Sequence, residues 1–295
     1  MSAFTADWLA LREPFDRAAR AAGMASFDLR RVGAALRRGQ ARLGVLDLAC
    51  GTGANLRELA PRLGGPQHWV MVDHDPHLLA ALPHAMADWA SACALAMHAG
   101  GEHLRITGPD WSADVETRCL DLAALPDAAL FDGPRLVTAS ALLDLVSAPW
   151  IDAWAGRARA CGAALLFGLT VDGGVDWQPP LEDDESVQRL FAAHQGRDKG
   201  FGPALGGGAA HHAATRLAAL GYEVVRCPSD WRIDGRAGPH AVDLLRALIE
   251  GTAAAAIQQA PAQTARVQAW AARRLERAGE TRLRVGHCEL LATLP

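Results

Sequence analysis

"LDLACGTGANL", residues 46–56, joins an apolar run to Asp47 and, four positions later, to the closely spaced Gly51 and Gly53. A short apolar run ended by glycine, with a helical pattern from Ala54 to Leu63 behind it, reads as a buried parallel strand, a tight turn and a helix. That layout lets a backbone come close to a nucleotide-like ligand. A dinucleotide fingerprint would carry a third glycine, but Ala54, Asn55 and Leu56 follow Gly53. The carboxylate ahead of the turn also points away from a pyrophosphate, which it would repel. It would attract a cationic amine or sulfonium.

The rest of the chain repeats the strand and helix alternation. Two amphipathic helices are expected within residues 1–43. Trp69–Val72, ending at Asp73, predicts a second strand, and Pro76 opens a helix running to about Ala99. His103–Thr107, Val115–Leu120, Leu136–Ala139 and Ala163–Leu169 read as further strands, with a helix over Trp150–Ala160. Regularity then lapses from Val171 to Gly208, through Gly173-Gly174, Pro179-Pro180, the acidic run Glu182–Glu185 and Gly206–Gly208. It returns with a helix over Ala209–Leu220, a strand at Tyr222–Arg226, alanine-rich helices to about Ala278 and a last strand over Leu283–Leu294. Alternating strands and helices indicate an α/β doubly wound sheet. The expected division is a helical cap (1–43), a ligand-binding core (44–170), an inserted lid or substrate loop (171–208) and the remainder of the core with extra helices (209–295).

"VLDLACGTG" (45–53) resembles the first motif of class I S-adenosylmethionine (SAM)-dependent methyltransferases. The resemblance implies a Rossmann-like seven-stranded sheet, mostly parallel, whose antiparallel last strand lies between the fifth and sixth. It implies SAM as cofactor, with Ala49, Gly51 and Gly53 lining the turn and Asp47 suited to the α-amino group. In "VMVDHDP" (70–76), Asp73 stands where the family binds the ribose hydroxyls, and His74 would sit beside the adenine. Asp75 is the competing carboxylate, better read as a helix N-cap. In "TRCLDLAAL" (117–125), Asp121 takes the adenine amino position, with Leu122 supplying adjacent backbone. Ser140 lies at the cofactor-facing end of the fourth strand. The resemblance covers residues 45–169 and extends to the strands near Tyr222 and Leu283, leaving out the cap, the insertion and the alanine-rich helices.

Methyl transfer to an O or N atom requires that the acceptor be oriented and, where needed, deprotonated. Asp144, in "VTASALLDLVSAPW" (137–150), is a candidate base or substrate contact; a plain helix-start carboxylate is the rival reading. "FAAHQGRDKGFGPALGGG" (191–208) gathers His194, Arg197, Asp198, Lys199 and Phe201. His194 is a second candidate base, and Arg197 and Lys199 would suit an anionic acceptor; a solvated loop is the alternative. Trp177 could wall a planar substrate or anchor the loop to the core. Arg12, in "DWLALREPFDRAAR" (7–20), is a candidate substrate or cofactor-carboxylate contact, or half of a surface charge pair. No N/D-P-P-aromatic motif follows the fourth strand, which weighs against methylation of DNA bases or protein glutamine. Two other readings keep the cofactor but not the transfer: a decarboxylation or cyclisation, and a non-catalytic SAM-binding subunit.

Composition sets the partners. Lys+Arg 29 against Asp+Glu 33 leaves a formal net charge of -4 in 295 residues, with no positive field for nucleic acid. No apolar window approaches a membrane span, and the six scattered cysteines suit a reducing, cytoplasmic setting. Neither they nor His211, His212, His240 and His287 show a metal-ligand spacing, so no metal is expected. The expected partner is a small-molecule acceptor. The alanine-rich helices between Ala241 and Ala278 suit packing on the sheet or on a second subunit.

Overall fold

A computed structural model describes residues 4–100, 103–123, 128–131 and 133–295. Its centre is a run of parallel strands: β1 (Leu43–Leu48), β2 (Gly65–Asp73), β5 (Trp111–Cys119), β6 (Leu136–Ser140) and β7 (Ala164–Gln178). A hairpin of β3 (Ala96–Gly100) and β4 (His103–Thr107) lies beyond β5. At the other side β10 (Arg282–Thr293) runs antiparallel between β7 and β8 (Glu223–Pro228) and also pairs with β9 (Trp231–Asp234). The order is β3-β4-β5-β2-β1-β6-β7-β10-β8. The expected seven strands and the antiparallel insertion of the last are therefore present. Among the described residues the sheet has ten strands: the seven the resemblance implies, β4 at the expected His103–Thr107, and β3 and β9, which the sequence did not indicate.

The central strands are buried on both sides, so their side chains alternate between two cores. Leu46 and Leu48 join Val137, Leu165 and Phe167 under α5 (Ala148–Cys161) and α7 (Ala209–Ala219). Val45 joins Trp69, Met71 and Leu166 under α2 (Leu29–Leu36), α3 (Ala54–Leu63) and α4 (Pro76–Ala92). Asp75 caps α4, accepting from the His77 amide at 2.8 Å, with Pro76 in the first turn. This helix stops at Ala92 rather than near Ala99, and β3 begins at Ala96.

The stretch after Val171 is not irregular at first. β7 continues to Gln178, paired with the start of β10 over Arg282–Val285. The alternation of Val171, Val175 and Trp177 with Asp172 and Asp176 is a strand pattern that Gly173-Gly174 interrupts without ending. Two register shifts, between Val285 and His287 and between Cys288 and Leu290, mark the irregular pairing of β10 with β7. The strand extension carries a third core formed with α6 (Asp184–Gln195), α8 (Pro239–Gln259) and α9 (Thr264–Glu276). α1 (Ala6–Gly23) packs against this layer and meets β7, β8, β9 and β10. Among the described residues no helix is long and apolar enough to cross a membrane.

Candidate functional site

The turn after β1 alternates left-handed residues: Ala49 (φ 53), Gly51 (φ 55) and Gly53 (φ 85). It is held by the Cys50 amide on the Val72 carbonyl at 3.0 Å and by the Gly53 amide on the Cys50 carbonyl at 2.9 Å. Both glycines suit the left-handed backbone, and flexible side chains crowd the space a Cβ would take. A Cβ on Gly51 would stand 3.0 Å from Leu9 of α1, and one on Gly53 would fall 2.1 Å from Met86 of α4. Asp73 braces the same turn: its Oδ2 accepts from the Gly51 amide at 2.8 Å and its Oδ1 from the Asp75 amide at 3.0 Å. His74 is exposed, its Nδ1 3.4 Å from Asp73.

Asp47 is fully buried behind the turn. Its Oδ1 accepts from Asn55 Nδ2 at 2.7 Å, while Oδ2 has no partner. Burial pushes its carboxyl up to about 7, against the opposing pull of Asn55 and Arg20. Asp121 follows β5 on the surface and accepts from the Ala123 amide at 2.8 Å. The neighbouring Leu122 is buried, with its carbonyl taking the Trp150 indole N–H at 2.7 Å. Ser140 ends β6, half-buried. The carboxyl ends of β1, β2, β5 and β6 therefore bring Asp47, Ala49, Gly51, Gly53, Asp73, His74, Asp121, Leu122 and Ser140 to one edge of the sheet.

A second group lies at the ends of β6 and β7. Asp144 is buried in the turn Leu143–Leu145, with Oδ1 unpartnered. Burial raises its carboxyl to about 6, opposed by backbone hydrogen bonds from its own and the Val171 amide and by the charge of Arg12. Arg12 grips Asp16 through Nε at 2.9 Å and Nη2 at 3.2 Å and lies 5.0 Å over the Trp231 ring. Trp231 in turn donates to Asp16 at 2.9 Å. Leu9 and Arg12 share one face of α1, about 4.5 Å apart along its axis. One helix face thus reaches the glycine turn through Leu9 and, through the charge of Arg12, favours the charged form of Asp144 against its burial. Glu13 clamps the helix down by pairing with Arg57, whose Nη1 donates to the Thr52 carbonyl at 2.7 Å.

The remaining candidates lie elsewhere. His194 Nε2 meets Gln258 Oε1 of α8 at 3.0 Å, Arg197 donates to the Gln258 carbonyl at 3.1 Å, and Lys199 donates to the His194 carbonyl at 3.4 Å. These three gather where α6 meets the end of α8, and Phe201 seats the loop edge-on against Trp150, ring centroids 5.8 Å apart. Trp177 is not available as a substrate wall. It is 6% exposed, covered by the Arg274 guanidinium at 5.1 Å and by the edge of Trp270. The alternation that makes Val171–Gln178 a strand turns this indole into the third core. No group of residues able to hold a metal is found among the described residues.

Several site residues carry no sequence motif. Asn55 in the first turn of α3, Arg20 of α1 and Glu289 of β10 are all buried and linked in that order behind Asp47. The available signals were a polar residue just inside a helix beside a glycine turn and a lone glutamate in the apolar run "CELLATL". His287, buried beside Trp231, was visible only as an unassigned histidine.

No protein-family model matches the chain, and no curated protein matches it. Among solved structures it is similar to an O-methyltransferase family protein from Burkholderia thailandensis, at 14% identity, 95% coverage of this chain, 57% of that one and a TM-score of 0.43. It is similar to a phosphoethanolamine N-methyltransferase from Haemonchus contortus solved with S-adenosylhomocysteine (SAH) and phosphomonomethylethanolamine, at 12% identity, 100% and 59% coverage and a TM-score of 0.42. A SAM-dependent methyltransferase from Thiobacillus denitrificans in complex with SAH matches at 16% identity, 98% coverage of each chain and a TM-score of 0.41. The chain spans 57% and 59% of the length of the first two. The solved structures similar to this chain include SAM-dependent methyltransferases, and the chain's own strand order is that of the Rossmann-like fold described above.

Proposed function

We propose that the protein is a SAM-dependent methyltransferase that moves a methyl group to an O or N atom of a small-molecule acceptor. One observation carries the reading: a buried carboxylate, Asp47, with one oxygen unpartnered, set behind a turn whose two glycines hold left-handed backbone. A buried acceptor without a donor costs about 1–3 kcal/mol. A cationic donor such as the α-ammonium of SAM relieves it while keeping the carboxylate charged, which protonation does not. The rest of the edge suits the same molecule. Asp73 keeps lone pairs beyond those used on Gly51 and Asp75 for ribose hydroxyls, and the exposed Asp121 can accept the adenine amino group. When bound, SAM supplies an electrophilic methyl carbon with its own leaving group.

What remains for the chain is to orient the acceptor, hold its proton and exclude water. Asp144 is the proposed base, since its free oxygen lies within the reach of α1 that also covers the glycine turn. His194 is the weaker candidate because its ring is already engaged by Gln258. α1 is the proposed cap, residues 44–170 the cofactor-binding core, and the loop carrying Arg197, Lys199 and Phe201 a wall for the acceptor, with residues 209–295 completing the core. Calorimetric titration with SAM and SAH tests this. Wild-type protein should bind both, and Asp47→Asn, which keeps the shape and removes the charge, should bind at least about tenfold more weakly. Failure of the wild-type protein to bind either would overturn the reading.

A further inference from the structure

Asp47 ends a chain of buried polar groups that begins on a different layer of the molecule. Glu289 of β10 accepts from the Leu169 amide at 3.1 Å and from Arg20 Nε at 3.3 Å. Arg20 Nη1 donates to Asn55 Oδ1 at 2.8 Å. A guanidinium can only donate, so it fixes the orientation of the Asn55 amide. The amide nitrogen must then face the other way, and both its protons are used: one on Asp47 at 2.7 Å, one on Thr138 Oγ1 at 3.0 Å. Thr138 passes its own proton to the Leu166 carbonyl at 2.6 Å. Along this chain the atom left without a partner is Asp47 Oδ2.

We infer that Arg20 and Asn55 are positioning residues of the cofactor site, setting Asp47 so that its free oxygen receives the ammonium group of the bound cofactor. The inference rests on the SAM reading above. A buried Arg–Glu pair gives little net stability compared with apolar side chains of similar volume, so its presence behind a ligand carboxylate points to orientation as its use. The charged or titratable groups around Asp47 are Arg20 from α1, with Glu289 behind it, Asp73 from β2 and the Cys50 thiol of the turn. Arg20 is the one cation among them. It lies at the end of the helix that also covers Gly51, so the cap and the ammonium site are linked through one amide.

The test compares two probes, SAH and 5′-methylthioadenosine, which shares the nucleoside but lacks the ammonium group. The double variant Arg20→Met/Glu289→Gln removes both charges and leaves neither unpaired. Expected is a loss of about tenfold or more in SAH affinity, the scale of one charge-assisted hydrogen bond, with 5′-methylthioadenosine affinity unchanged. An equal loss for both probes, or none for either, in a folded variant would overturn the inference and leave the cofactor reading intact. Wild-type protein that binds neither probe would overturn both. Should the double variant melt, Arg20→Lys decides the same question: it keeps the cation beside Glu289 and loses the fork that also reaches Asn55.

Discussion

Gly53→Ala is the sharpest test of how the turn is built. Gly53 begins α3 at φ 85 and ψ 22, a left-handed conformation that costs an L-residue about 1–2 kcal/mol. The added methyl would lie 2.1 Å from Met86 Cε, 3.4 Å from Met71 Cε and 3.6 Å from Leu82 Cδ1. Overpacking of this kind typically costs about 1–3 kcal/mol. Methionine is the most adaptable core side chain, so the total should fall at about 2–4 kcal/mol. Met86→Leu removes the clashing Cε and on its own should cost less than about 1.5 kcal/mol. In that background only the backbone penalty remains, and Gly53→Ala should cost about 1–2 kcal/mol. Urea denaturation of the four proteins reads the difference directly. If the glycine substitution costs the same in both backgrounds, within the additivity limit of about 0.3–0.5 kcal/mol, Met86 does not occupy the space and the steric account of the turn is wrong.

Three further outcomes follow from the same edge of the sheet. Burial raises the Asp47 carboxyl from 3.8 to about 7, so its favourable contribution is present below pH 3.8 and is lost as the pH rises through about 7. Relative to wild type, Asp47→Asn should therefore gain stability as the pH rises from about 4 to about 7 and level off above it, read in denaturation midpoints, and SAH affinity of the wild type should rise toward about pH 7 and level off above it. Asp144→Asn should lower kcat by about 10²–10⁴-fold with SAH affinity unchanged; in the wild type, kcat should fall below pH about 6 as Asp144 takes a proton. Ala49→Gly should stabilise by about 0.5–1 kcal/mol, as relief at φ 53 exceeds the chain entropy lost, and thermal melts would show it.

The parallel strands and the glycine turn were legible because their signals are local: an apolar run, a carboxylate, two glycines. Asp75 as a helix cap was legible for the same reason. The second half of β7 was not, because its stability comes from pairing with β10, more than a hundred residues away in sequence. Of the two readings open for Trp177, a substrate wall or an anchor to the core, its burial in the third core fits the anchor. His194, Arg197 and Lys199 form a dense polar cluster in sequence, yet Gln258 of α8 partners the first two and the His194 carbonyl the third, and density alone does not say what a side chain faces. Arg20, Asn55 and Glu289 show the converse. Each is unremarkable locally, and the three become a unit when α1, α3 and β10 converge on β1.

Strain offers a line of argument that needs no likeness to another protein. Among the described residues four non-glycine residues have positive φ: Ala49, Ala94, Ala141 and Leu169. Three of these lie at or beyond the ends of β1 and β6 and within β7, which are adjacent strands. Left-handed backbone in a residue as large as leucine is an outlier, of order 1–3 kcal/mol, that persists only where the surroundings enforce it. Here the enforcement is visible. Glu289 holds the Leu169 amide, and the Ala141 amide donates to the Gly168 carbonyl at 2.9 Å. The same edge holds two buried carboxylates with an unpartnered oxygen, Asp47 and Asp144, and the unpartnered hydroxyl of Thr170. A sheet selected for stability alone would have neither the bent backbone nor the open oxygens at neighbouring strand ends. Their coincidence at the carboxyl edge of β1, β6 and β7, beneath α1, supports the proposed site.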